Sequence, residues 1–244
     1  MTGASGLVTD NLACVLVRPE HAGNVGAAAR ALGNLGLADL RLVGDLELGA
    51  EARAMACTFQ QILAEVRRHA SLTPALADCV LAVAMVSPMR HRDVPAQDLR
   101  TLTPRIAAAS QLGKVALVFG SEQSGLVHDD VARCTVAASL CLPSSRPTLN
   151  LAQAVLLAAY ELRRVEPTPT AEPVGGREPP ATLAETAGIL AACSALLTRL
   201  GYGDERTSLH ARIHGRCRAL AHRAALSHAD VQMLHGLLTR LDPT

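Results

Sequence analysis

Short apolar blocks separated by polar turns run through most of the chain. "LACVLVR" (12–18), rich in β-branched residues, predicts a buried strand, and residues 24–36, small and apolar along one face, predict a helix. "DLRLVG" (39–44) reads as a second strand, and "LADCVLAVAM" (76–85) contains another. "KVALVFG" (114–120) is the clearest strand, and "RCTVAASLCL" (133–142) is a further extended run. Helical patterns intervene around 49–56, 71–77, 97–110 and 149–164. Strands alternating with helices predict an α/β domain over residues 1–164, built on a parallel sheet covered on both faces.

The pattern then breaks. "VEPTPTAEPVGGREPP" (165–180) is crowded with prolines and carries a Gly-Gly pair, so it predicts a linker. Helical periodicity returns over 181–200, 207–225 and 227–241, which predicts a small all-α unit over 181–244.

Composition narrows the picture. With 49% hydrophobic residues, no Trp, two Phe and two Tyr, the core must be aliphatic. A net charge of +1 means that nothing in the bulk balance declares a nucleic-acid binder. Lys114 is the single lysine among 23 basic residues, and arginine's planar fork is the better phosphate ligand. The seven cysteines are scattered, mostly in apolar runs, with no C-x-x-C pair. They point to small buried hydrophobes in a reducing cytoplasm rather than to disulfides. The opening "MTGASGLVTDN" has no secretory character, and no apolar run reaches the roughly 18–20 residues of a membrane span. A soluble cytoplasmic protein is expected.

Three stretches carry candidate chemistry. In "HAGNVGAAAR" (21–30), a glycine turn between strand and helix offers an anion site at the helix N-terminus. Asp45 follows at the distance of a ribose-binding acid, so an NAD-binding oxidoreductase is one reading. The spacing, however, is G-x-x-G rather than G-x-G-x-x-G. In the other reading, Gly23 and Gly26 shape the turn or let the helix approach the sheet. Arg30 belongs to the same helix, at the edge where ligands gather in parallel sheets, unless a salt bridge claims it. In "VFGSEQSGL" (118–126), Gly120 ends a strand and Glu122 follows, as a site carboxylate or as a first-turn carboxylate of the next helix. "SSRPTLNLAQAVLLAAYEL" (144–162) brings Thr148 and Asn150 to the mouth of an Ala-rich helix, where Thr148 can also serve as N-cap. His210 and His214 lie one helical turn apart without a third ligand of obvious spacing, so no metal is expected.

Taken together, Asn24-x-Gly26-x-x-x-Arg30, then Phe119-Gly120-x-Glu122-x-x-Gly125-Leu126, then Leu149-Asn150 resemble the three signature motifs of the SpoU/TrmH group of SPOUT-type RNA ribose 2′-O-methyltransferases. The resemblance covers about residues 12–164, and the motif spacing and helical tail look most like the TrmJ subgroup. It implies an α/β fold with a C-terminal trefoil knot and S-adenosylmethionine bound in the knot by three loops. Carried over, these contribute Ser87, Pro88 and Met89, then Gly120, then Leu140, Leu142 and Leu149. It further implies a homodimer with active sites at the interface and tRNA as substrate, methylated at anticodon-loop position thirty-two.

The resemblance assigns catalysis to Arg30, Asn24, Glu122, Thr148 and Asn150. A guanidinium stays protonated, so Arg30 is expected to grip a phosphate beside the reacting hydroxyl rather than act as a free base. Asn24 would orient the loop or the ribose, and Glu122 would hold Arg30 or the substrate hydroxyl. The family usually has Ser where this chain has Thr148, and Ser121 is often basic in TrmJ relatives. RNA contacts are expected from Arg90, Arg92 and Arg146, and from Arg212 and Arg216 in a tail that also carries Arg206, Arg218, Arg223, His214 and His222. A non-catalytic RNA-binding relative is a further reading, opposed by the retention of Asn24, Arg30, Glu122 and Asn150.

Overall fold

The computed structural model describes residues 6–87, 91, 94–144, 149–164, 178–203 and 208–241. The chain separates into two compact units, Met1–Ala171 and Glu172–Thr244.

In chain order the first unit contains β1 (Leu12–Val17), α1 (Ala22–Asn34), β2 (Asp39–Val43), α2 (Ala50–Ala56), α3 (Gln60–Ala64), β3 (Arg67–His69) and α4 (Leu72–Ala75). There follow β4 (Cys79–Met85), β5 (Gln97–Asp98), α5 (Leu99–Leu112), β6 (Lys114–Phe119), α6 (His128–Arg133), β7 (Val136–Ser139) and α7 (Leu151–Arg163). All seven strands are parallel, in the order β3-β2-β1-β6-β4-β7-β5. Every residue of β1 is buried, as is all of β6 beyond Lys114. Side chains alternate between the faces of a strand, so uniform burial means that both faces are covered. One core cluster joins Leu12, Cys14 and Leu16 to Val25, Leu32, Ile106 and Val155.

Helix α1 begins at Ala22, two residues earlier than the sequence pattern predicts, and it encloses Gly23 and Gly26. Neither glycine forms the turn or faces the sheet. A Cβ on Gly26 would lie 2.1 Å from the carbonyl oxygen of Ala52, so glycine is what lets α1 and α2 touch backbone to backbone. Residues 71–77 shrink to the short α4. The 97–110 segment opens with the edge strand β5, which leads into α5 through an Asp98 N-cap that accepts a hydrogen bond from Arg100 N at 3.0 Å. The edge strand β3 and helix α6 were not predicted.

The N-terminal edge of the sheet holds a buried ion network. Arg41, 1% exposed, donates from Nη1 to the Asp78 carboxylate (2.5 Å) and the Ala75 carbonyl (2.6 Å), and from Nη2 to the Asp39 carboxylate (3.0 Å). Arg67 and Lys114 also reach Asp39, at 2.5 and 3.2 Å. Burial pushes the Asp39 carboxyl up, but the hydrogen bonds from Arg41 and Arg67 outweigh it and hold the group down at about 2.

The second unit contains α8 (Leu183–Arg199), α9 (Ser208–Ala224) and α10 (His228–Leu241). A capping box opens α8. Thr182 Oγ1 accepts from Glu185 N at 3.2 Å, and Glu185 Oε2 accepts from Thr182 N at 2.8 Å. Ala181, Ile189 and Val231 form its core. The end of the expected linker belongs to this unit, because Ala181 N donates to Leu226 O and His228 N to Pro179 O. Residues 165–177 lie outside the described part. His210, fully buried, packs its Nε2 against the Ser194 carbonyl at 3.1 Å. No helix among the described residues is long and apolar enough to cross a membrane.

Candidate active site

The C-terminal ends of parallel strands are where side chains and loop backbones converge on ligands. Here the loops after β1, β4, β6 and β7 meet at that edge. The loop after β6 is shaped by two glycines. A Cβ on Gly120 would lie 2.0 Å from the carbonyl carbon of Gly125, and Gly125 has φ +68°, so the chain folds back tightly on itself. Gly125 N closes the turn by donating to Ser121 O at 2.9 Å.

That turn presents Glu122 to the start of α1. Asn24 Nδ2 donates to Glu122 Oε1 at 2.6 Å, and Glu20 N donates to Glu122 Oε2 at 2.9 Å. The Glu20 side chain reciprocates, with Oε1 accepting from Gln123 N at 3.3 Å. On the other side, Asn150 Nδ2 donates to Asn24 Oδ1 at 2.8 Å. Asn150 is itself fixed as the N-cap of α7, with Oδ1 accepting from Ala152 N at 2.9 Å and Gln153 Oε1 accepting from Asn150 N at 3.1 Å. Three motifs spread over 126 residues thus form one hydrogen-bonded chain. Asn24 is held at both ends of its amide, so its orientation is set. Burial pushes the Glu122 carboxyl up, but the bonds from Asn24 and Glu20 N outweigh this and hold it below the usual carboxylate range.

Three expected roles change. Glu122 is not a first-turn carboxylate, since α6 begins only at His128. Nor does it hold Arg30, which is exposed on α1 and makes no hydrogen bond or ion pair with the described residues. Six residues at 3.6 per turn place Arg30 about a third of the way around the helix from Asn24. The N-cap of α7 is Asn150, not Thr148.

Beside this chain opens a cavity of about 290 Å³. Ser87, Gly120, Leu140, Leu142 and Leu149 line it, together with Val86, Phe119, Glu122 and His91. The linings come from the ends of β4, β6 and β7 and from the start of α7. Pro88, Met89, Arg90, Arg92, Arg146 and Thr148 lie outside the described residues. Arg212 and Arg216 are exposed on α9, one helical turn apart.

Sequence reasoning missed Glu20 and His91. Glu20 acts partly through its backbone amide, which leaves no side-chain signal. His91 lies only four residues beyond Ser87, and that proximity could have drawn attention to it.

Comparison with known proteins fits this geometry. A profile of the SpoU rRNA Methylase family matches residues 11–160. The tRNA (cytidine/uridine-2′-O-)-methyltransferase TrmJ of Klebsiella pneumoniae is 35% identical over 154 residues, 63% of this chain and 63% of that protein's own length. An uncharacterized tRNA/rRNA methyltransferase of Haemophilus influenzae is 32% identical over the same shares. The crystal structure of TrmJ from Z. mobilis superposes with a TM-score of 0.82 at 30% identity, covering 95% of this chain and 99% of that one. With a family match over most of its first unit, the chain belongs to the SpoU rRNA methylase family.

Proposed function

We propose that the chain is an S-adenosylmethionine-dependent tRNA ribose 2′-O-methyltransferase acting in the cytoplasm on the anticodon-loop nucleotide at position thirty-two. The observation that carries this reading is the Asn150–Asn24–Glu122 chain standing beside the cavity. The likeness to the Z. mobilis protein extends over the helical unit as well, which favours a TrmJ-type substrate. A dinucleotide-binding reading loses its main support, because Gly23 and Gly26 serve helix packing.

The cavity suits the methyl donor. Leucine walls fit a flat base, Ser87, His91 and Glu122 offer polar groups among them, and Gly120 keeps the strand end free of a side chain. Ser87, Gly120, Leu140, Leu142 and Leu149 would hold the donor, with Pro88 and Met89 in the same loop. Bound there, S-adenosylmethionine would supply a methyl group on a sulfonium that is already electrophilic. The protein's task is then alignment and exclusion of water, which can lower a barrier by about 7–11 kcal/mol at best.

Glu122 stays ionised at neutral pH and acts as an acceptor that fixes Asn24, not as an acid. Asn24, locked between Asn150 and Glu122, orients the ribose. Arg30, exposed and uncommitted, grips the adjacent phosphate and eases the developing alkoxide. Its position away from Asn24 suits a site completed by a second copy, and Leu156 and Tyr160, exposed on α7, offer an apolar face for a homodimer. The trefoil knot belongs to the same reading. Arg212 and Arg216, with Arg90, Arg92 and Arg146, would contact RNA phosphates.

Incubation with methyl-labelled donor and bulk tRNA, followed by mapping of ribose methylation, tests the proposal. Label at position thirty-two is expected. Binding of NAD without methyl transfer would favour the oxidoreductase, and RNA binding without transfer would favour a non-catalytic relative.

A further inference from the structure

His91 is 5% exposed, and its Nδ1 is sealed from solvent without a hydrogen-bond partner among the described residues. A buried polar atom left unpaired costs about 1–3 kcal/mol. Such an atom calls for an explanation, and beside a cavity a bound ligand supplies one. The surroundings of the ring narrow what that can be. Its backbone is pinned, His91 N donating to Ser87 O at 3.1 Å and His91 O accepting from Val94 N at 3.2 Å. The His128 ring lies against it with centroids 5.4 Å apart and planes tilted by 52°. The ring also borders the cavity. The cavity is lined mainly by aliphatic side chains, and a polar ligand there needs a few well-placed partners.

We infer that His91 is a ligand of the methyl donor, its imidazole making a hydrogen bond to a polar group of the bound molecule that is absent when the cavity is empty. The inference rests on the donor occupying this cavity. It adds a side-chain contact to a pocket otherwise read as working through backbone and leucines, on a residue that none of the three motifs contains. His91 is a binding residue here and takes no part in proton transfer.

The test measures S-adenosylhomocysteine affinity by calorimetry, the Michaelis constant for the methyl donor, and the thermal midpoint of the ligand-free protein. His91→Leu removes both nitrogens, whereas His91→Asn places a polar atom close to where Nδ1 stood. His91→Leu is expected to weaken binding by about tenfold or more, the loss of one hydrogen bond to a buried partner. It should raise KM for the donor with kcat unchanged. Because it also removes an unpaired buried atom, its ligand-free thermal midpoint should equal or exceed that of the unsubstituted protein. His91→Asn should bind within about threefold of the unsubstituted protein. Unchanged affinity in His91→Leu overturns the assignment while leaving the proposed activity intact. Equal loss of affinity in both variants, tracking a fall in the ligand-free midpoint, also overturns it and makes His91 a packing residue. If the unsubstituted protein binds no S-adenosylhomocysteine, the proposed function fails first and this inference with it.

Discussion

The two edges of the sheet use polar side chains in opposite ways. At the N-terminal edge, Arg41 is buried and its donors meet two carboxylates and a carbonyl, while Asp39 answers three cations. At the C-terminal edge, Glu122 makes no ion pair with an arginine or lysine among the described residues and accepts from an amide side chain and a backbone N–H. Arg30, about two turns into the helix that starts at this edge, is exposed, and His91 carries a nitrogen with no partner among the described residues. A saturated network can gain nothing from a ligand, so its contribution is to the fold. An unsaturated one holds groups in place with bonding capacity to spare, which is what a binding site needs. Saturation of polar groups therefore separates structure from function in this domain better than charge does.

Breaking the saturated edge gives the largest expected effect. Arg41→Ala removes the buried link between Asp39 and Asp78 and opens a cavity, a loss of about 3 kcal/mol from packing and unmade hydrogen bonds, since Arg67 and Lys114 still face Asp39. Denaturant unfolding should register that loss, while the folded fraction keeps its donor affinity. Loss of donor binding with stability intact would show that the two edges are not separable. At the other edge, Arg30→Lys should do the reverse. The rate should fall by about 10²–10³-fold, as when a charge-stabilising donor is removed from an active site. Donor affinity and unfolding midpoint should stay put. Equal loss of donor binding would remove Arg30 from its proposed role.

Acid separates the edges more finely. Asp39 has its ordinary value near 3.8 when unfolded and about 2 in the folded chain. A depressed carboxyl adds stability that is full above the unfolded value and vanishes as pH falls through the folded one. The shift corresponds to roughly 2 kcal/mol, lost between about pH 4 and pH 2. Asp39→Asn should flatten that part of the stability profile, and an unchanged profile would move the titration elsewhere.

The strands that could be read from sequence were those whose own residues demand burial. β1, β4 and β6 are apolar runs, and a parallel strand buried on both faces needs little else to announce it. β3 is Arg-Arg-His and β5 is Gln-Asp, so nothing in them signals a strand, and their pairing is imposed by β2 and β7. Arg41 sits inside "DLRLV" with its decisive partner 37 residues away, a distance no local pattern spans. The glycines of "HAGNVGAAAR" invited a turn, but the contact they serve is with Ala52 and Glu51 on another helix. In the site, Asn24, Glu122 and Asn150 were legible as motif residues. Their hydrogen bonds to one another were not, since those depend on three loops meeting.

The smallest effect is also the most exacting test of the site. If Asn24 is held between Asn150 and Glu122, removing either neighbour should matter less once Asn24 is gone. Glu122→Gln keeps the size of the side chain and an acceptor oxygen but cannot accept from both Asn24 Nδ2 and Glu20 N as an ionised carboxylate does. Asn24→Ala removes the donor outright. Each single change should lower kcat, and the double variant should fall short of their product by a coupling of about 1 kcal/mol, within the range for residues in direct contact. Glu122→Gln paired with Arg41→Lys should be additive, since these residues sit at opposite edges with no shared partner. Coupling across the sheet, or additivity between Asn24 and Glu122, would mean that the chain of hydrogen bonds is incidental to the rate and that Asn24 reaches the ribose without its neighbours' help.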